Sequence, residues 1–357
     1  MDLTGGLYRL YNTPSVYFQQ MLDDINGARK YICLEIYKFY DDATGDKFRK
    51  ALTNKARDGV EIKVLIDSWG ANVNLEYFKD LIDSGGEVRF FTKIKVVIDF
   101  FTKNHRRNHR KLLIVDDRIS WIGSANITHY SLTWREMMLR LEGDIALSFK
   151  KVFNLDFKLY NRYIFEKNSF VRLIRYKDFE IVRDVPSITK KRINKKFIRL
   201  IRNSEREVLI ETPYFLPGYF LRKALMDACR RGVKVTVIVP RHSDVLLIDI
   251  LRNRYLGPLY QGGLRFLYYI NGNLHAKAML IDNQIFALGS PNFDYRSFRY
   301  MHEIVLVGRE EEIIRQLRSH MEETIGQSEP FDIAKWENRP KIQKFIEWLI
   351  LPFRHLL

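Results

Sequence analysis

A chain of 357 residues carries enough polypeptide for two ordinary domains or one large pseudo-symmetric one, because single cores stop growing at roughly 250 to 300 residues. Its 46% hydrophobic and 29% charged residues exclude collagen-like, low-complexity and wholly disordered chains. Its two cysteines, Cys33 and Cys229, support neither a disulfide framework nor a thiolate metal site and point to a reducing compartment. Fifty-nine basic residues against 43 acidic ones leave a formal charge of +16, so polyanions are the expected partners; nucleic acid and an anionic membrane surface both fit that sign. The opening MDLTGGLYRLYNTPS has no charged segment followed by an apolar one, and no stretch approaches the roughly 18 uncharged apolar residues of a spanning helix. Neither secretion nor a transmembrane anchor is expected.

In chain order, periodicity predicts a strand over 31–39, a helix over 46–57 stopped by Gly59 and a strand over 60–67. A glycine pair, Gly85 and Gly86, a strand over 87–91 and a histidine-bearing segment follow. A join is expected near residue 160, before a basic stretch with Lys190, Lys191, Arg192, Lys195 and Lys196 that reads as a solvated helix face or as a contact for an anionic surface. The second half then repeats the first: a strand over 208–215, a helix over 219–231 closed by Gly232, a strand over 233–239, the pair Gly262 and Gly263, a strand over 264–269 and another histidine-bearing segment. The expected fold is α/β, two copies of one unit, each with a largely parallel or mixed sheet flanked by helices. Expected divisions are an N-terminal half over 1–160, a C-terminal half over 161–325 and an amphipathic tail over 326–357.

The two histidine segments carry the chemistry. NHRKLLIVDDRISWIGSANI holds His109, Lys111, Asp116, Gly123, Ser124 and Asn126; LHAKAMLIDNQIFALGSPNF holds His275, Lys277, Asp282, Gly289, Ser290 and Asn292. From histidine to asparagine is 17 positions in both, and a carboxylate follows each, at Glu136 and at Glu303. With each of six fixed types met by chance about one time in twenty, a single copy arises at roughly one in 10⁸ starting positions. In extended chain, alternate side chains share a face, so each histidine and lysine point the same way, one to attack and one to neutralise. The small residues and asparagine after the next strand offer close backbone approach and further donors to an oxyanion, a set suited to phosphate. Lysine supplies the fixed positive charge that many phosphoryl enzymes take from a metal ion, and no carboxylates stand at ligand spacing, so no metal or organic cofactor is expected. Asp116 and Asp282, past their lysines at strand ends, read as structural ion-pair or turn residues. His105, His129, His242, His302, His320 and His355 lack such company and read as structural or solvent-facing.

This paired pattern resembles the phospholipase D superfamily, with two HxKx₄D motifs each followed by a GSxN-like segment. The surrounding text, LEIYKFYDDATGDKF, WREMMLRLEG, ETPYFLP and GSPNFDYRSF, narrows the resemblance to bacterial cardiolipin synthases of the short form without N-terminal membrane helices, over about residues 5–325. Ser124 stands where that family more often has a second glycine, and Glu136 where it more often has aspartate. The resemblance implies two phospholipase D-like halves with one active site at their interface. It implies that His109 is the nucleophile that takes up a phosphatidyl group, and that His275 is the acid and then the base. Lys111, Lys277, Asn126 and Asn292, supported by Ser124 and Ser290, would hold the non-bridging oxygens, Glu303 would orient His109, and Glu136 would orient His275. It implies a transphosphatidylase that moves a phosphatidyl group from phosphatidylglycerol to the headgroup hydroxyl of a second phospholipid and releases glycerol. Phospholipid substrates and an anionic membrane surface are then the partners, rather than nucleic acid, for a peripheral enzyme on the cytoplasmic side of a bacterial membrane. Phospholipid hydrolysis, a nuclease of the same superfamily and a silent binding module are the alternatives. Two segments fit a bilayer contact: the basic and aromatic run over 90–111, equally readable as a buried strand with a basic turn, and residues 341–357, which either lie in the interface or pack on their own fold.

Overall fold

Tyr31–Ile36 is buried along its whole length, which is why it reads as an apolar run broken only by Glu35: a central strand with both faces covered has no polar side to alternate with. Around it, the computed structural model, which describes residues 7–91, 107–160, 173–185 and 191–353, builds the first of two compact units, Met1–Val182 and Arg183–Leu357. The first unit's seven-stranded sheet runs in the order Tyr8–Tyr11, Met138–Glu142, Ile119–Gly123, Leu112–Val115, Tyr31–Ile36, Glu61–Asp67, Glu87–Phe91. In the second unit the strands that correspond to Met138–Glu142 through Glu87–Phe91 run in the order Met301–Gly308, Ile285–Gly289, Ala278–Ile281, Glu207–Glu211, Lys234–Pro240, Arg265–Tyr269, and Ser328–Pro330 is added beyond Arg265–Tyr269.

The repeated strand–helix–strand unit supplies the parallel pairings, Tyr31–Ile36 with Glu61–Asp67 and Glu207–Glu211 with Lys234–Pro240. Both sheets are mixed rather than largely parallel. The motif strands Leu112–Val115 and Ile119–Gly123 pair antiparallel, as do Ala278–Ile281 and Ile285–Gly289. Their connections are too short for a crossover, which needs a dozen or more residues. The expected strand over 208–215 breaks after Glu211, where Pro213 lacks a ladder donor, and resumes as Phe215–Leu216 beside Phe293–Asp294. Helix Ala43–Arg57 starts three residues earlier than its periodicity suggests, because Asp42 accepts hydrogen bonds from Thr44 N and Gly45 N at 2.9 and 3.0 Å.

The division between units falls at Val182, beyond residue 160. Ile174–Tyr176 and Phe179–Asp184 form an antiparallel hairpin at that division, and the Tyr8 ring meets Phe179 edge-on at 5.4 Å within the first unit. The C-terminal segment belongs to the second unit. Trp336 lies against helix Leu246–Gln261 where Gly257 leaves room for the ring, and its indole donates to Asn253 O at 2.6 Å. Helix Lys341–Ile350 packs on the same helix.

Candidate active site

In both units the chain reaches the motif histidine just before a buried strand and puts the motif lysine at its mouth. His109 and Lys111 are 5% and 1% exposed, His275 and Lys277 6% and 2%. Lys111 Nζ donates to His109 O at 2.6 Å, and Lys277 Nζ donates to His275 O. Alternation along extended chain brings each ammonium back over its own histidine, so each histidine carries a cation on the same local framework. In the first unit the His109 ring also meets Tyr37 edge-on, 4.8 Å between centroids, with Lys111 Nζ 5.1 Å from the Tyr37 ring.

The glycine and serine of each motif act on the protein itself. A Cβ on Gly123 would sit 2.2 Å from Met137 O, and one on Gly289 2.2 Å from Ile304 O, so the glycines let the neighbouring strand cross at contact distance. Ser124 Oγ donates to the carboxylate of Glu136 and accepts from Met137 N at 3.1 Å; Ser290 Oγ donates to Glu303 and accepts from Ile304 N at 3.0 Å. Both glutamates are fully buried. The serine that sequence reasoning assigns to an oxyanion thus holds the buried carboxylate of its own unit.

Asn126 and Asn292 are also buried. Asn126 Oδ1 accepts from Lys38 N at 3.2 Å, which leaves its amide hydrogens to offer, whereas Asn292 Oδ1 is buried without a partner among the described residues. Asp116 and Asp282 lie in turns with φ of 55° and 54°. The Asp116 carboxylate accepts from Arg29 N, Lys30 N and Tyr31 N, and that of Asp282 from Glu205 N, Arg206 N and Glu207 N. Each aspartate fixes the turn after the motif strand to the start of the central strand. Burial alone would raise the Asp282 pKa, but the three N–H donors together outweigh it and hold the group below its ordinary value.

Sequence reasoning passed over the buried carboxylates behind the first motif. Asn108 N donates to Asp67 Oδ2 at 2.8 Å and Asn108 Nδ2 to Glu35 Oε1 at 2.7 Å. Arg107 Nη1 lies 3.7 Å from Asp67 Oδ1, and Arg110 pairs with Asp156. All of these side chains are essentially inaccessible. The residues on both sides of His109 are therefore clamped by carboxylates from Tyr31–Ile36, Glu61–Asp67 and Ile145–Leu159. A glutamate inside an otherwise apolar strand, ICLEI, was the available signal. Of the other histidines, His320 is buried and its Nε2 lies 3.0 Å from Glu211 Oε1; His302 is buried, His129 and His242 are exposed, and His105 and His355 lie outside the described residues. Most of the basic and aromatic run over 90–111 also lies outside them.

Two α/β units with the same histidine, lysine, asparagine and glutamate set define a duplicated phosphoryl-transfer scaffold. The model for the family described as "Cardiolipin synthase, PLD-like domain" matches residues 21–157 and 197–325, and the chain belongs to that family. It is 31% identical to the major cardiolipin synthase ClsA of Bacillus subtilis over 94% of this chain and 73% of that one. It is likewise 31% identical to cardiolipin synthase 1 of Staphylococcus epidermidis over 95% and 72%. Among solved structures, phosphatidylserine synthase of Haemophilus influenzae superposes over 100% of this chain and 94% of its own with a TM-score of 0.76 at 13% identity, a likeness of fold.

Proposed function

We propose that the protein is a cardiolipin synthase-type phosphatidyltransferase whose two motifs act on one phosphorus atom. An imidazole nitrogen of His109 attacks the phosphorus of phosphatidylglycerol. The bond from phosphorus to the headgroup oxygen breaks, and the departing glycerol takes a proton from His275. The terminal hydroxyl of a second phosphatidylglycerol then gives its proton to His275 and attacks the same phosphorus. The P–N bond breaks, cardiolipin leaves and both histidines return to their starting state. Lys111, Lys277 and the amides of Asn126 and Asn292 hold the non-bridging oxygens as charge grows. Glu303 orients His109 and Glu136 orients His275. The observation that carries this reading is the pair of buried histidine–lysine sets, alike in both units, in a chain of this family.

The substrate lies in a bilayer, and the second unit offers a surface for it. Helix Lys341–Ile350 buries Glu347 against Arg339, at 2.9 and 3.1 Å, and leaves Ile342, Phe345, Trp348 and Leu349 between 51% and 63% exposed. Leu246 and Leu247, on the helix it packs against, are exposed as well, and Lys341 and Lys344 flank the apolar residues. No helix among the described residues is long and apolar enough to cross a membrane. This face rests in the interface of an anionic bilayer on the cytoplasmic side, with rings at headgroup depth and lysines on phosphates. Purified protein with phosphatidylglycerol vesicles is expected to release glycerol and form cardiolipin in equal amounts; phosphatidate as the sole lipid product would replace the transferase reading with a hydrolase. Phe345→Glu with Trp348→Glu is expected to abolish flotation with those vesicles, and unchanged flotation would remove the helix from the contact.

A further inference from the structure

Within the second unit, the loop before helix Arg192–Arg202, the start of helix Tyr219–Arg230 and the short helix Ser297–Tyr300 enclose a cavity of about 240 Å³. Lys191, Arg222 and Arg299 line it, and among the described residues no carboxylate does. Arg299 stacks on the Tyr295 ring at 3.9 Å, and Arg222 donates to Pro217 O at 2.6 Å and faces the Tyr255 ring at 4.8 Å. Among the described residues no carboxylate pairs with Lys191 or Arg299. Burial first, and then the charges of Arg299 and Lys195, hold the Lys191 ammonium below its ordinary pKa. The Arg299 charge acting on Lys191 is a repulsion that a bound anion relieves. At the rim, Tyr219 and Phe220 are 64% and 65% exposed.

The cavity wall is continuous with the second motif. Tyr295 follows Asn292 by three residues, and Phe293–Asp294 pairs with Phe215–Leu216, which leads into Pro217 and Tyr219. The feature is not duplicated: seven residues beyond the motif asparagine the second copy has Arg299, where the first has Thr133. A reaction at one phosphorus engages the motif lysines once. An acceptor that is itself a phospholipid brings a second phosphodiester anion, a three-carbon bridge away from its attacking hydroxyl, and that anion needs cations of its own. We propose that this cavity, through Lys191 and Arg299, binds the phosphodiester of the acceptor phospholipid, with Tyr219 and Phe220 against its glycerol and acyl portion, and so selects a lipid over water or a free alcohol.

The proposal rests on the transfer reaction above. The test uses the full chain in detergent micelles of phosphatidylglycerol with radiolabelled glycerol, and reads cardiolipin formed against glycerol exchanged into phosphatidylglycerol. Lys191→Gln and Arg299→Gln are each expected to lower that ratio about tenfold, through a higher KM for the phospholipid acceptor, as befits loss of one charge-assisted contact. Lys191→Arg is expected to keep the wild-type ratio. A ratio that stays at the wild-type value in both glutamine variants, whether both products persist or both fall together, overturns the assignment of the cavity to the acceptor. A wild-type chain that forms neither product overturns the transfer reading itself, and the acceptor site with it.

Discussion

The two units repeat one another at the motifs and part company just behind them. Each has histidine, lysine, asparagine and a glutamate held by the motif serine, and the bonds from lysine to the histidine carbonyl and from serine to glutamate recur in both. On the central strand, each also buries a glutamate, Glu35 or Glu211. Glu35 reaches forward, to Asn108 beside His109. Glu211 reaches back, to His320 and Thr324 on helix Glu311–Gly326. Two residues further on, the first copy has Tyr37 against the histidine ring where the second has Pro213. The motif side chains are the same in both copies, while each copy satisfies its central-strand carboxylate separately. The consequence is unequal support: His109 sits in a segment clamped by Glu35, Asp67 and Asp156, which suits a nucleophile whose position sets the attack angle.

The largest expected effects fall on the histidines and separate them. His109→Ala and His275→Ala are each expected to lower kcat by about a thousandfold or more, but only the first should abolish covalent capture of a labelled phosphatidyl group. Protein denatured at alkaline pH, where a P–N bond survives, that carries label in His109→Ala, or equal loss of label in both variants, would exchange or dissolve the assigned roles.

Next come the buried carboxylates. Asp156→Ala takes from buried Arg110 its nearer carboxylate and leaves Glu35 at 3.8 Å, and is expected to cost about 3 kcal/mol in urea unfolding. Glu35→Gln keeps the shape but weakens the grip on Asn108, and its expected mark is a fall in kcat with KM nearly unchanged. Glu211→Gln is expected to lower stability without moving kcat, because its partners stand away from the motif. Equal effects of the two glutamine substitutions on kcat would erase the difference in support between the copies.

How far the sequence reaches follows the same division. The motifs were legible because chemistry imposes fixed types at fixed spacing, and Gly59 and Gly232 marked helix ends because both adopt left-handed φ, 84° and 89°. The mixed character of the sheets was less legible: the apolar runs at 112–115 and 278–281 look alike whether their neighbours run parallel or antiparallel, and only the short turns at Asp116 and Asp282 decide it. The work of Ser124 and Ser290 was hidden because a hydroxyl near an expected oxyanion and a hydroxyl on a buried carboxylate have the same letters around them. Glu35, Asp67 and Asp156 lie far from His109 in sequence, so no spacing rule gathers them. The tail reads as amphipathic in sequence, and in helix Lys341–Ile350 it is Glu347 that takes the buried position that periodicity gives to an apolar residue.

The smallest expected effect is a pH dependence confined to one copy. Asp294, two residues past the second motif asparagine, stands where the first copy has Thr128. Burial pushes its carboxyl up to about 6; the Ser297 N–H opposes this, and the nearby Glu303 charge adds to the rise. Asp184 is raised to about 6 as well, first by burial, against the N–H groups of Arg192 and Ile193, with Glu303 contributing. Between its ordinary value of 3.8 and about 6, the folded chain keeps a proton on Asp294 that the unfolded chain has released. Stability therefore falls as pH rises through that window, by at most about 3 kcal/mol for this group. Asp294→Asn still accepts the Ser297 N–H and has no proton to lose, so its urea midpoint should approach the wild-type value at pH 4 and exceed it at pH 7. Parallel midpoints for the two proteins across that range would show that Asp294 stays charged beside Glu303, and would leave the copies alike in their response to acid.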